Sequence, residues 1–187
     1  MKRIIATLLA GLVLFALVGC SSGKPSASQP AAPKDYTQIL HDARPEEDNE
    51  YYMIFSKSED GKFTAQDGYS TEYEADQLED EIQNMLLPLL GLEEDSCTGF
   101  AASVSSMMVQ SYGIAIVKPA EGKTQEVVDA LEGYVLGQQQ AMEHYLDDQY
   151  QIAKAAKVET VPTGEVVMVC CENSDTVLSN IKAALAK

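Results

Sequence analysis

Of the four cysteines in the sequence, Cys20 sits in a context that fixes its chemistry. Leu17-Val18-Gly19-Cys20 has the form of a lipobox. An apolar pair and a small residue precede the cut, and the thiol after it is the nucleophile that accepts a diacylglycerol. The upstream residues agree. Lys2 and Arg3 make a positive start, and residues 4–18 are apolar except for Thr7 and Gly11. That stretch is shorter than the roughly twenty residues a transmembrane helix requires, so it reads as a signal peptide and drops out of fold reasoning. The expectation is a signal peptide over residues 1–19, lipidation of Cys20 with fatty acyl chains such as palmitate, and a chain anchored in the bilayer on the outer face of the cell membrane.

The remaining thiols carry less information. Cys97, Cys170 and Cys171 are an odd set, which makes no complete disulfide framework. Neighbours on a strand point to opposite faces, so Cys170 and Cys171 do not pair with each other. They read as buried small hydrophobes, with one bridge from Cys97 to either of the pair left open. The two histidines, His41 and His144, belong to no HExxH or comparable motif. His144 lies among Glu143, Tyr145, Asp147 and Asp148, but adjacent helix positions do not share a face, and it reads as solvated. Glu93-Glu94-Asp95 and Asp147-Asp148 read as solvated acidic faces, and the tyrosines at 51, 52, 69 and 73 as strand and core residues before ligand platforms. No catalytic, cofactor-binding or metal-binding residue is expected. Met107, Met108 and Val109 are the exception on the binding side. Three apolar residues at a hairpin tip are costly to expose without a use, and methionine suits adaptable contact, so they are the candidate partner contact.

These residues must be held by a domain. Residues 20–34 are the lipidated cysteine and a Ser, Ala, Pro and Gly tether with no large apolar side chain. Such a spacer reaches on the order of 20 Å as a random coil. Residues 35–187 are then enough for one domain with a real core, with residues 35–75 as its less defined N-terminal extension. The net charge is −16, and removal of residues 1–19 takes away two cations and no acid. A body this acidic excludes nucleic acid as a partner and leaves the lipid to do the anchoring.

Periodicity gives the elements. YTQILHDAR predicts a short helix stopped by Pro45, residues 46–50 an acidic turn, and YYMIF with Phe63 a small hairpin. Residues 76–90 predict an amphipathic helix with Leu78, Ile82, Met85, Leu86 and Leu89 inward and Gly91 closing it. Two strands over 98–105 and 112–118 are joined through SMMVQS. From Thr124, taken as the cap, apolar residues recur at helical spacing for about thirty residues, which predicts one long helix. Gly133 and Gly137 inside it call for a close contact or a bend. Strands over 158–161 and 165–171 and a final helix over 174–186 complete the chain. The whole is α+β: a mostly antiparallel sheet of about four strands in two pairs, with the long central helix, the C-terminal helix and a preceding helix packed on it. The two strand–turn–helix halves suggest a ββα duplication.

LGLE at 90–93, YGIAIVKPAEGK, the Gln/Glu-rich helix ending AMEHYLDDQY, and GEVVMVCCENSDTV resemble a family of small lipoproteins of Gram-positive anaerobes that is catalogued only as a domain of unknown function. The similarity spans residues 76–187. It implies one α+β domain on a lipid anchor and carries no catalytic residue, substrate or cofactor. The function expected is a non-enzymatic module that binds a protein, peptide or cell-wall partner. The alternative is an extracytoplasmic, hydrolase-like enzyme whose site is assembled from scattered residues.

Overall fold

The computed structural model of the protein describes residues 33–68, 73–107 and 109–187. The expected signal peptide, Cys20, most of the expected tether, Tyr69 and Met108 lie outside the described residues. Residues 33–187 form one compact unit. It begins with helices α1 (Tyr36–Ala43) and α2 (Glu46–Tyr51) and the hairpin β1 (Ile54–Lys57) and β2 (Phe63–Gln66). Helix α3 (Ala75–Glu81) runs through a π-turn (Ile82–Leu86) into α4 (Leu87–Leu90). Then come β3 (Cys97–Val104), β4 (Gly113–Pro119), α5 (Thr124–Met142), α6 (Asp147–Ala155), β5 (Lys157–Thr160), β6 (Val166–Cys170) and α7 (Ser174–Leu185).

The strands form one antiparallel sheet in the order β2-β1-β3-β4-β6-β5. The α+β architecture holds, but the sheet has six strands rather than about four. The N-terminal hairpin is part of it because β1 pairs with β3, Phe55 opposite Ala102. The central strands alternate with period two. Phe100, Ala102, Ala115, Val117, Val166 and Met168 face a core built with α3 to α5, which contribute Ile82, Leu90, Leu131 and Tyr134. Ala101, Ile114, Ile116, Val167 and Val169 face a second core closed by Tyr36 and Leu40 of α1 and by Val177, Ile181 and Leu185 of α7. Helices on both faces explain why GIAIV and VVMVC are apolar without a polar alternate. They also remove the duplication, since the helices following the two hairpins pack on opposite faces. The edge strand β5 carries Lys157 and Glu159, charges that discourage further strand pairing.

Four local readings are corrected. Residues 46–50 are helical, as part of α2. Lys123 occupies the N-cap of α5, and no side chain caps it, so Thr124 is the first helical residue instead. The long helix is two: α5 ends at Met142, whose carbonyl accepts from the amides of Tyr145 and Leu146, and extended Leu146 turns the chain into α6. Asp147 and Asp148 then meet the positive end of that new helix.

The fourth correction concerns the helix over 76–90. Pro88 has no amide to give Asn84, and an α-helical register through it would clash. The wider π-turn immediately before it bonds Leu87 N–H to the Ile82 carbonyl, inserting one residue into the helical phase. Leu86, Leu87 and Leu90 therefore point inward, while Met85 and Leu89, expected inward, are 61% and 49% exposed. Gly91 closes the helix at φ +69 as expected. Gly133 and Gly137 meet nothing within 4 Å. The close approach falls at Gly113 instead, where a Cβ would lie 2.7 Å from the Tyr134 ring.

Candidate functional site

Arg44 organises the end of the domain that holds the 105–112 loop. Pro45 disfavours helical backbone at the residue before it, and Arg44 is extended, with its side chain fully buried. The guanidinium donates to Asn49 Oδ1 (2.5 Å), Ser103 Oγ (2.7 Å), Tyr112 Oη (3.1 Å), the Tyr52 carbonyl (2.7 Å) and Asp67 Oδ2 (3.1 Å). A buried cation is tolerable only with such a complete set of partners. Asp67 sits at φ +67 and also contacts His41 Nδ1 at 2.8 Å, which gives His41 a structural partner. The Tyr52 and Tyr112 rings stack with centroids 3.7 Å apart and planes 13° from parallel.

Two concavities share Tyr52. The first, about 610 Å³, lies among α2, the end of the loop, α6 and the turn before α7. Its carboxylates are Glu46, Glu47, Asp48, Glu50 and Glu172, and its lining contains no lysine, arginine or histidine. Burial pushes the half-buried Asp48 carboxyl above its ordinary range, and Glu172 and Glu47 add to this. The Arg44 guanidinium and a hydrogen bond from the Tyr112 hydroxyl pull it back in part. Ser111, another wall residue, is 2% exposed, and its Oγ has no hydrogen-bond partner among the described residues. Its amide donates to Gln149 Oε1 at 2.9 Å. Cys171 also lines the pocket. Its thiol is pushed up to about 12, by burial first and then by Asp48, Cys170 and Glu172. At neutral pH it is a protonated thiol and a poor nucleophile.

The second concavity is an apolar groove of about 630 Å³ running from α2 and β1 across the π-turn to the 105–107 end of the loop. Tyr51, Met85, Leu89 and Met107 stand around it, between 49% and 61% exposed. Tyr73, which packs edge-on against Phe55 at 6.0 Å, lies in its wall. The loop is closed at its base by Ser105 N–H to the Tyr112 carbonyl (3.0 Å). Val109, at the tip, is 47% exposed.

The structure thus brings Met107 together with Tyr51, Tyr52 and Tyr73, and places Val109 on the open tip. His144 stands apart, 90% exposed with Glu143 at 3.9 Å. Cys97, Cys170 and Cys171 are free and buried, which removes the open disulfide. Among the described residues no three His, Cys, Asp or Glu side chains are placed to hold a metal ion. Sequence reasoning missed Arg44, Asp48, Ser111 and Glu172. The available signal was slight: a cation before proline in a chain with 13 lysines and arginines against 29 acids.

Residues 69–171 match the model of a family described as Domain of unknown function (DUF4358). The chain belongs to that family. No curated protein and no solved structure matches it. The DUF4358 match runs from the segment before α3 to Cys171. It takes in the 105–112 loop, Met85, Leu89 and Gln149, whereas Arg44, Asp48 and Tyr52 precede it. Both concavities lie along that junction, with walls drawn from each side.

Proposed function

We propose that this chain is an extracytoplasmic lipoprotein, held on the outer face of the membrane through acylated Cys20, whose DUF4358 domain is a non-enzymatic binding module. The groove beside Met107 receives apolar side chains of a protein or peptide partner that carries positive charge. The observation that carries this reading is the grouping of Tyr51, Met85, Leu89 and Met107, four large exposed side chains around one concavity. Single exposed apolar residues are ordinary, but a contiguous set around a groove marks contact with something else. Methionine adapts to varied surfaces. The charge of the partner follows from the net −16 of the chain, since complementary charge raises the encounter rate and disfavours acidic competitors. The resemblance to lipoproteins of Gram-positive anaerobes supports the anchor and the compartment, and no helix among the described residues is long and apolar enough to cross a membrane.

The anchor is tested by growing cells with labelled palmitate. The wild-type chain takes up label and fractionates with membranes, and Cys20→Ala does neither; an unlabelled wild type overturns the assignment. The groove is tested by crosslinking in intact cells followed by pull-down. Met107→Ser with Leu89→Ser lowers recovery of the crosslinked partner at unchanged melting temperature. Undiminished recovery removes the groove as the contact.

A further inference from the structure

The acidic pocket beside Tyr52 has a chemistry of its own, independent of the apolar groove. Five carboxylates line it and no cationic side chain does. The nearest buried cation, Arg44, is committed to Asn49, Ser103, Tyr112, Tyr52 and Asp67. Asp48 is half-buried at the wall and forms no ion pair within 4.0 Å among the described residues. Ser111 adds a second kind of group, a buried hydroxyl with an unused acceptor and donor. Tyr52 and Tyr112 supply stacked aromatic rings, whose quadrupole favours a cation.

We propose that this pocket binds an organic cation, a primary ammonium of the kind carried by a lysine side chain or a small diamine, with Asp48 as its counter-ion and Ser111 Oγ accepting from it. A bare divalent ion is a poor fit, because it demands several oxygen ligands converging on one point, and no three acidic, thiol or imidazole groups do so among the described residues. A volume of about 610 Å³ accommodates an alkylammonium with part of its backbone. Asp48 and Glu172 also raise the Tyr52 hydroxyl and the Cys171 thiol, after burial. Four of the five carboxylates are exposed, and the half-burial of Asp48 makes it the one whose contact with an ammonium is least screened by water.

The test is calorimetric titration of the full chain in detergent micelles, with tyrosine fluorescence as a second readout, because the sequence has no tryptophan. The probes are N-acetyl-lysine methylamide, its Nε-acetylated neutral counterpart, cadaverine, a lysine-containing tetrapeptide and calcium chloride. The charged lysine probe binds and the acetylated one does not. Asp48→Asn weakens binding at least tenfold, Glu172→Gln weakens it several-fold, and Glu121→Gln on a remote turn leaves it unchanged, with melting temperatures recorded for each. Tetrapeptide binding well above that of cadaverine identifies a polypeptide source for the ammonium, and the reverse order a free amine. Equal affinity for the charged and acetylated probes, no binding of any amine, unchanged affinity in both acidic-to-amide variants, or displacement of the amine by calcium below millimolar levels overturns the proposal. Each probe is also titrated against Met107→Ser with Leu89→Ser, in which amine binding is unchanged, so failure here leaves the groove reading standing, and failure of the groove leaves this one.

Discussion

The Arg44 guanidinium donates to Ser103 Oγ at 2.7 Å across 59 residues of sequence, joining the end of the first helix to the centre of the sheet. The same group holds Asp67, which leaves β2, and Tyr112, which opens β4. Both candidate concavities are built on residues that this one side chain positions.

Replacing that cation is therefore the most damaging single change expected at this end of the domain. Arg44→Met leaves Asp67 buried without its guanidinium and Ser103 and the Tyr52 carbonyl without a donor, and should cost about 3–5 kcal/mol in urea unfolding. A cost below about 1 kcal/mol would mean that the network does not hold this region together.

The two glycines in the middle of α5 point the other way. Gly133 and Gly137 have open space where a Cβ would go, so Gly133→Ala and Gly137→Ala should each stabilise the protein by about 0.5–1 kcal/mol through helix propensity. Gly113→Ala, which drives a methyl group into the Tyr134 ring, should destabilise it. Thermal melts separate the outcomes, and destabilisation by the α5 pair would show that the open face is occupied in the folded protein.

Acid stability should depend on the contact between Tyr36 and Glu165, whose oxygens are 3.1 Å apart. Burial alone would raise the Glu165 carboxyl, but hydrogen bonds from Thr163, its own backbone and Tyr36, together with Lys34, outweigh that and hold it below its ordinary value of 4.5. A lowered folded value means stability that is fully present above pH 4.5 and is lost as pH falls through the folded value. Tyr36→Phe should cost about 1.5–3 kcal/mol at pH 7, as for a hydrogen bond to a charged group, and the gap from wild type should narrow below pH 4.5. A gap constant down to pH 3 would show that the ring, and not the carboxylate contact, carries the effect.

The thiols should be silent in the native state. Cys97, Cys170 and Cys171 are at most 5% exposed. Burial raises all three, Cys170 and Cys171 to about 12. Iodoacetamide at pH 8 should modify them slowly in buffer and quickly in urea, and mass spectrometry of tryptic peptides reads each site. Fast native labelling of Cys171 would place a thiolate in the acidic pocket and contradict the negative field described for it.

The features legible in the chain alone are local and periodic. The apolar runs GIAIV and VVMVC, broken by turn residues, specify the two central hairpins, and Val177, Leu178, Ile181 and Leu185 specify the inward face of α7, all as observed. Local spacing encodes which side of an element is apolar, because that side must leave water wherever the element packs. It does not encode which element covers it, because the covering element is brought in from elsewhere in the chain by folding. The YYMIF hairpin entered the sheet because β3 offered it an edge 45 residues or so further on. The helix over 76–90 turned Met85 and Leu89 outward because one residue of π-turn resolves the conflict at Pro88. The run at helical spacing after Thr124 broke at 143–146, and Gln139 Nε2 of α5 donates to the Ala153 carbonyl of α6, which folds α6 back on α5. Above all, Arg44 and Asp48 look like solvated charges in a one-dimensional reading. Their burial is set by partners scattered from Asn49 to Tyr112, and desolvation is a property of the assembled surroundings that no spacing of residues records.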